Sequence, residues 1–293
     1  GPVGADGSVI SVGMNGRGYI AEGCTEDGSG KYHNSEYPAL QLLGHSFRYT
    51  ADLSTSECGC NAAMYFVPMR QNTDESKCGD YYCDANDVCG VRCAEIDIQE
   101  ANLHAWYTTL HTPSDGVGMG KGIGRDRRTW SADDYGPGGR CIDTRSPVQV
   151  EARFPVDDHG ALRAVEVTLT QPSSPCDLSL QISDYGGLAT VGSALRGGVT
   201  PVVSFWGAGQ DITWLDGKVC QSEQSARCTS ARMYDFAVEP LTPPASTAPT
   251  TSAPSAPGHP APHIAPAAVG PPPAQQLPSA PAAPEPRVPN QPV

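Results

Sequence analysis

Positive charge is scarce in this chain. Its 19 Lys and Arg stand against 32 Asp and Glu, a formal net charge of −13. Such a polyanion is repelled by nucleic acid and by anionic membrane surfaces, so neither is expected as a partner. Long apolar runs are missing too, and nothing approaches the roughly 20 residues of a helical membrane span. Zinc spacing is not found among the cysteines: Cys58-Gly-Cys60 is too tight for the usual pair, and no Cys-x-x-Cys partner occurs. No metal and no organic cofactor are expected. Helical periodicity with caps is not found in any long run. The chain opens at Gly1 with neither an initiator Met nor a signal-peptide pattern, which leaves its native start open.

The last stretch lacks almost everything a core needs. From Pro243 to Val293 there is no aromatic residue, and only Glu285 and Arg287 are charged, while 17 of the 28 prolines fall there. Such a segment buries too little apolar surface to offset its chain entropy, so residues 243–293 are expected to be a disordered, extended Pro/Ala/Ser/Thr-rich tail. Residues 1–242 remain, a length that suits one all-β domain. Within them residues 1–36 are Gly-rich and weakly patterned, and are expected to be weakly ordered or a residual N-terminal part.

Cysteine is plentiful: eleven, between Cys24 and Cys228. Scattered spacing beside a Pro/Ser/Thr tail fits disulfides and a secreted or lumenal protein. The count is odd, so at least one Cys is free or paired outside the chain.

Short strand patterns follow one another from Ala39. Leu43–Leu53 mixes Leu43, Phe47, Tyr49 and Leu53 with polar residues, and Ala62–Met69 is a short apolar run. Cys93–Ile98 alternates, with Ile96 and Ile98 on one face and Glu95, Asp97 and Gln99 on the other. Val148–Phe154, Ala161–Thr170, Val199–Phe205, Asp211–Leu215 and Ala231–Val238 read similarly. Gly- and Pro-rich connections such as Tyr135-Gly-Pro-Gly-Gly139 separate them. The pattern predicts an antiparallel β-sandwich or barrel.

The chemistry-bearing run is Ala94-Glu-Ile-Asp-Ile-Gln-Glu-Ala-Asn102. Glu95 and Asp97 share a strand face, and two carboxyls that close cannot both ionise cheaply, so their proton affinities split. A retaining glycosidase needs a carboxylate nucleophile and a second carboxyl held protonated until it donates to the leaving oxygen. Glu95 and Glu100 are candidates for these roles, with Asp97 assisting the nucleophile. Strict alternation puts Glu100 on the wrong face, so the reading requires a β-bulge between Asp97 and Glu100. Without its flanks the run reads more readily as a solvated acidic strand face.

Those flanks carry a resemblance. Leu42-Leu-Gly-His-Ser-Phe-Arg-Tyr-Thr-Ala-Asp-Leu53, Cys58-Gly-Cys-Asn-Ala-Ala-Met-Tyr-Phe-Val-Pro-Met69 and Tyr82-Cys83-Asp84 precede the acidic run. Tyr135-Gly-Pro-Gly138, Ile142-Asp-Thr144, Ala194-Leu195, Val202-Val-Ser-Phe-Trp206, Trp214-Leu-Asp216 and Met233–Leu241 follow it. In this order they resemble glycoside hydrolase family 7, cellulases on a concanavalin-like jelly-roll sandwich. The resemblance implies Glu95 as nucleophile, Asp97 as its assisting acid and Glu100 as acid/base. It implies cleft roles for Asn61 and Tyr65, contact to sugar or to the acid/base for His111, and a product-side role for Arg128. Trp206 and Trp214 match aromatic platforms, and flat indole faces suit glucose rings. Cys83 with Cys93 and Cys58 with Cys228 are the disulfides it implies.

Departures from the family pattern sharpen the expectation. Family members carry more chain before Leu42, so the sandwich is expected to be reduced or partial. The segments between Cys83 and Cys93 and between His111 and Tyr135 are short, which implies an open cleft and internal cleavage. Gly207-Ala208 replaces an acidic pair, and Gln99 stands where an indole is usual. The expected function is retaining, endo-acting hydrolysis of β-1,4-glucan by a secreted monomer. Two rival readings stand beside it: a family 16-like β-1,3(1,4)-glucanase, and a non-catalytic carbohydrate-binding or cell-wall structural protein.

Overall fold

A computed structural model describes residues 3–6, 9–20, 32–172, 174–207, 210–220 and 228–241. The expected tail at 243–293 and Cys24 lie outside the described residues. The strands are β1 (Val3–Asp6), β2 (Val9–Gly13), β3 (Gly16–Tyr19), β4 (His45–Asp52), β5 (Asn61–Val67), β6 (Glu95–Ala101), β7 (Trp106–His111) and β8 (Met119–Ile123). They continue with β9 (Tyr135–Gly136), β10 (Ile142–Asp143), β11 (Val148–Arg153), β12 (Val165–Thr170), β13 (Leu178–Ile182), β14 (Thr200–Trp206) and β15 (Ser230–Pro240). Helix α1 spans Leu188–Gly197 and the short α2 spans Thr213–Asp216.

Two antiparallel sheets form the sandwich. One runs β1-β2-β15-β4-β11-β12-β13 and the other β3-β14-β5-β6-β7-β8. Their facing sides interdigitate as one core, with Phe47, Tyr49, Val150 and Val167 from the first sheet and Met64, Phe66, Ile96, Ile98, Trp106 and Phe205 from the second. Phe47 meets Phe66 edge-on across the layers at 5.0 Å between ring centroids.

The two sheets differ on their outer sides, and this difference locates the cleft. β11, β12 and β13 alternate buried with exposed or half-buried residues, so the first sheet has a solvated outer face. Every residue of β5 and β7 is buried, and so are all but one of β6 and of β14. The second sheet is therefore covered on both faces, by the core on one side and by a layer of polar and aromatic side chains on the other.

Several expectations change here. The described residues of the N-terminal part form strands: β2 pairs with β15 and β3 with β14, so this part contributes to both sheets. Asp211–Leu215 is not a strand. Asp211 accepts from the Thr213 N–H and hydroxyl, and this local turn starts α2 with Trp214 on it. The helix α1 went unread because glycines bracket its short apolar stripe of Val191, Ala194 and Leu195. Strands β7, β8 and β13 were also not anticipated. β7 lacks alternation because it is buried on both sides.

Five disulfides bind the described residues: Cys58–Cys220, Cys60–Cys228, Cys78–Cys89, Cys83–Cys93 and Cys141–Cys176. The Cys83–Cys93 bridge is present. The implied Cys58–Cys228 bridge is not, because Cys228 pairs with Cys60 and leaves Cys58 for Cys220. The two bridges are neighbours on the Cys58-Gly-Cys60 turn, so one-residue spacing decides which partner each sulfur meets.

Candidate active site

The acidic run folds as β6, and its register is broken in one place. Against β7, Asp97 pairs with Thr109 and Glu100 with Tyr107, so Ile98 and Gln99 together oppose the single residue Thr108. Against β5, Asp97 pairs with Tyr65 and Gln99 with Met64, which leaves Ile98 unpaired. This is a β-bulge, and it turns both Ile98 and Gln99 to the core. Three hydrogen bonds hold it: Thr108 Oγ1 donates to Ile98 O at 2.8 Å, Gln99 Nε2 donates to Ala62 O at 3.0 Å, and Tyr49 Oη donates to Gln99 Oε1 at 3.1 Å. Glu95, Asp97 and Glu100 thereby share the outer face of the second sheet.

Neighbouring strands supply the surroundings by register. His111 lies opposite Glu95 on β7. Its Nε2 is 3.2 Å from Asp97 Oδ2, and its Nδ1 is 2.9 Å from the Asp115 carbonyl oxygen. A carbonyl only accepts, so Nδ1 carries a proton. A neutral ring then has a bare Nε2 that must accept from protonated Asp97, and a charged ring donates instead. In either case one proton is held between His111 and Asp97. Gly118 permits this placement: its φ is +63°, and a Cβ there would sit 2.6 Å from His111 Nδ1.

Glu95 Oε2 accepts from the Ala85 N–H at 3.0 Å, and its side chain is nearly buried. Burial, then the charges of Asp97 and Asp84, push its carboxyl well above the usual carboxylate range. Asp97 is raised as well, by burial first and then by Asp84. Glu100 accepts from Asn61 Nδ2 at 3.2 Å. Its pKa is pushed up to about 8 by burial and by Asp97, against the opposing pull of His111, Asn61 and Arg127. Glu100 is thus held protonated at neutral pH, as a general acid requires, beside two carboxyls that burial raises as well.

Other anticipated residues fall where the strands carry them. Tyr65 lies on β5 beside Asp97, with its hydroxyl 3.0 Å from that of Tyr82. Trp206 ends β14 opposite Asn61. Its ring centroid is 6.3 Å from that of Trp214 with 30° between planes, and Trp214 packs edge-on to Tyr107 at 5.9 Å. Arg128 is not brought into the site. It is exposed, and its Nη1 donates to the carbonyls of Gly124 and Arg127. The guanidinium that faces the site is that of Arg127, 5.0 Å from the Tyr107 ring centroid and acting on Glu100.

Sequence reasoning also passed over Asp84 and Arg17. Asp84 is a third buried carboxyl beside the pair. Its Oδ1 accepts from the Val88 N–H at 3.0 Å, while Oδ2 is buried without a hydrogen-bond partner. Burial raises its pKa. Arg17 on β3 lies 3.7 Å over the Tyr82 ring centroid and donates to the Tyr19 hydroxyl at 2.8 Å, which donates to Asp80 at 2.8 Å. The segment Tyr82-Cys83-Asp84 signalled Asp84. Arg17 sat in a Gly-rich stretch with no pattern to mark it.

Comparison with known proteins bears on the fold and the family. Residues 29–88 match the model of glycosyl hydrolase family 7, a match that ends before β6. Endoglucanase EG-1 of Hypocrea jecorina is 30% identical over 224 residues, covering 62% of this chain and 47% of that protein. The probable endo-beta-1,4-glucanase celB of Aspergillus terreus is 28% identical over 240 residues, covering 62% and 57%. The chain spans about half the length of the curated relatives it matches. The native endocellulase EGI of Humicola insolens has a similar structure, with a TM-score of 0.58 at 18% identity over 80% of this chain and 77% of that one. At that identity the likeness speaks for the fold.

Proposed function

We propose that this chain, which belongs to glycoside hydrolase family 7, hydrolyses β-1,4-glucan internally and with retention of anomeric configuration. Glu95 attacks the anomeric carbon while Glu100 gives its proton to the leaving glycosidic oxygen. Glu100, now a carboxylate, then takes a proton from water as that water displaces the sugar from Glu95. Asp97, backed by His111, holds the proton that tunes the charge on Glu95. Asn61 orients Glu100, and Tyr65 lies beside the nucleophile. The indoles of Trp206 and Trp214 receive glucose rings, and Arg127 serves the leaving-group side.

The single observation that carries this reading is the bulge at Ile98, by which Glu95 and Glu100 share one face of β6, with Asp97 between them and His111 beside it on β7. Internal cleavage is supported by the short connections beside β6. Residues 78–93 are tied down by the Cys78–Cys89 and Cys83–Cys93 bridges, and the turn after β7 is only 112–118. Extracellular residence is supported by the five disulfides. A net charge of −13 argues against nucleic acid and anionic membrane as partners, and the chain is taken to act as a monomer. The steps above require no metal or organic cofactor.

The test is release of reducing ends from carboxymethyl cellulose and barley β-glucan, with the fall in viscosity followed in parallel. An endo-acting enzyme lowers viscosity early, and Glu95→Gln abolishes both signals. If the wild type binds glucan but releases nothing, the non-catalytic reading replaces this one. Cleavage of laminarin but not carboxymethyl cellulose favours the family 16-like specificity.

A further inference from the structure

One set of polar contacts beside the carboxyls plays no part in the reaction as written. β13 ends at Ile182, and the segment after it carries Tyr185 to the turn that follows β7. The Tyr185 hydroxyl donates to Asp115 Oδ2 at 2.9 Å and accepts from the Thr112 N–H at 3.0 Å. The other carboxylate oxygen, Oδ1, accepts from the Gly118 N–H at 2.9 Å, and the Asp115 N–H donates to Thr112 O at 3.1 Å. The turn so closed aims the Asp115 carbonyl at His111 Nδ1. The two segments are in direct contact: a Cβ at Gly187 would lie 2.4 Å from Thr112 Cγ2.

The charged groups that act on the His111–Asp97 pair are Glu95 and Glu100 from β6, Asp84 from the segment before it and Asp115 from the turn after β7. All are acidic. Asp115 is the one among them on the turn after β7, where Tyr185 and the Gly118 N–H hold its side chain.

We propose that Tyr185 is a positioning residue which, through Asp115, fixes the His111 ring with its proton on Nδ1 and so sets the proton that His111 shares with Asp97. Removing the hydroxyl strands the Thr112 N–H and takes one hydrogen bond from the Asp115 carboxylate, leaving that of the Gly118 N–H. The His111–Asp97 pair then faces an anion and a carbonyl acceptor that are held less firmly, both of which favour the proton it holds. It releases that proton at lower pH. The consequence for turnover rests on the hydrolase reading above, but the state of the His111 ring does not.

The experiment compares wild type, Tyr185→Phe, Asp115→Ala and Lys121→Ala. Lys121 anchors the end of β13 and the segment after it through the Gln181 carbonyl at 2.7 Å and Asp184 at 3.5 Å, and neither contact is to residues 112–118. Ring nitrogen-15 spectra of the seven histidines, with His111 assigned by His111→Asn, report the tautomer. The wild-type ring is expected to be protonated at Nδ1, and that signature to be lost in Tyr185→Phe and in Asp115→Ala but kept in Lys121→Ala. On β-glucan, Tyr185→Phe is expected to lower kcat about tenfold, the order of one hydrogen bond to a charged group. KM is expected to stay unchanged and the alkaline limb to move to lower pH. Asp115→Ala attacks the same contact from the other partner, at a half-buried position, so it serves if Tyr185→Phe does not fold. An unchanged ring spectrum in the folded variants, or the same change in Lys121→Ala, overturns the proposal. If the wild type releases no sugar, the hydrolase reading fails and the ring spectra alone decide the role of Tyr185.

Discussion

Glu95 and Glu100 lie on one face of β6 although an odd number of positions separates them, because Ile98 and Gln99 together oppose Thr108. A regular strand would turn Glu100 into the core, where Ile98 and Gln99 now point. The bulge costs ladder hydrogen bonds, and side chains replace them. Thr108 satisfies the Ile98 carbonyl, and Trp106 Nε1 donates to Thr108 Oγ1 at 3.1 Å.

Thr108→Val keeps the shape of this residue and removes its hydroxyl. The buried Ile98 carbonyl and Trp106 N–H each lose a partner, so we expect a loss of about 1–3 kcal/mol in urea unfolding. Glucan turnover should fall with it, as Glu100 is no longer held. Thr108→Ser retains the hydroxyl and should recover most of both. Equal behaviour of the two variants would show that the bulge is held by packing instead.

The two glutamates should separate by leaving group. Glu100→Gln is expected to lose about 10²–10⁴ in kcat on glucan, the usual share of general acid catalysis. On a dinitrophenyl cellobioside, whose leaving group needs no proton, the bond-cleavage step should be largely restored. Glu95→Gln should be inactive on both substrates, and a fluoroglycoside should label Glu95 in the wild type. Loss of the aryl substrate in both variants to the same degree would contradict the division of roles.

Glu100 also predicts two pH effects. Its pKa of about 8 places the alkaline limb of activity near that value, since the acid must stay protonated. For stability the sign follows from linkage. The folded value is raised above the ordinary 4.5, so between these limits the folded chain holds a proton that the unfolded chain has released. The unfolded state binds fewer protons, and the stability from this group falls as pH rises through the window. Glu100→Gln removes the effect, so its Tm minus that of the wild type should grow from pH 5 to pH 8. A constant difference would refute the shift.

The Cys58–Cys220 and Cys60–Cys228 bridges close segments of 162 and 168 residues and meet on one turn next to Asn61. Chain-entropy arguments give each an upper value of about 5 kcal/mol. The double variant Cys58→Ala, Cys220→Ala should lose about 2–5 kcal/mol by denaturant unfolding. It should also raise KM, because that bridge anchors the segment just after α2, the helix that carries Trp214. The Cys141–Cys176 bridge packs with the core between the sheets, so the pair Cys141→Ala, Cys176→Ala should leave KM unchanged.

What could be read before folding, and what could not, divides along one line. The sequence by itself determined the local chemistry and the fold class. Period-2 patterning on β4, β11, β12 and β15 announced a sandwich, and the spacing of Glu95, Asp97 and Glu100 demanded a bulge that the strand pairing contains. It failed where local and global demands differ. β7 is buried on both faces and carries no alternation. Asp211–Leu215 looks like a strand until Asp211 bonds to Thr213. Tertiary structure alone decided which of two adjacent arginines faces Glu100, which sulfur each of Cys58 and Cys60 meets, and that Asp84, Arg17 and Tyr185 gather around one acidic strand. These depend on the direction a side chain takes from its backbone and on pairing between segments far apart in the chain, and neither is encoded in any short window of sequence. The acidic run with its flanks pointed to the proposed reaction, and the strands on either side of it set where its protons are held.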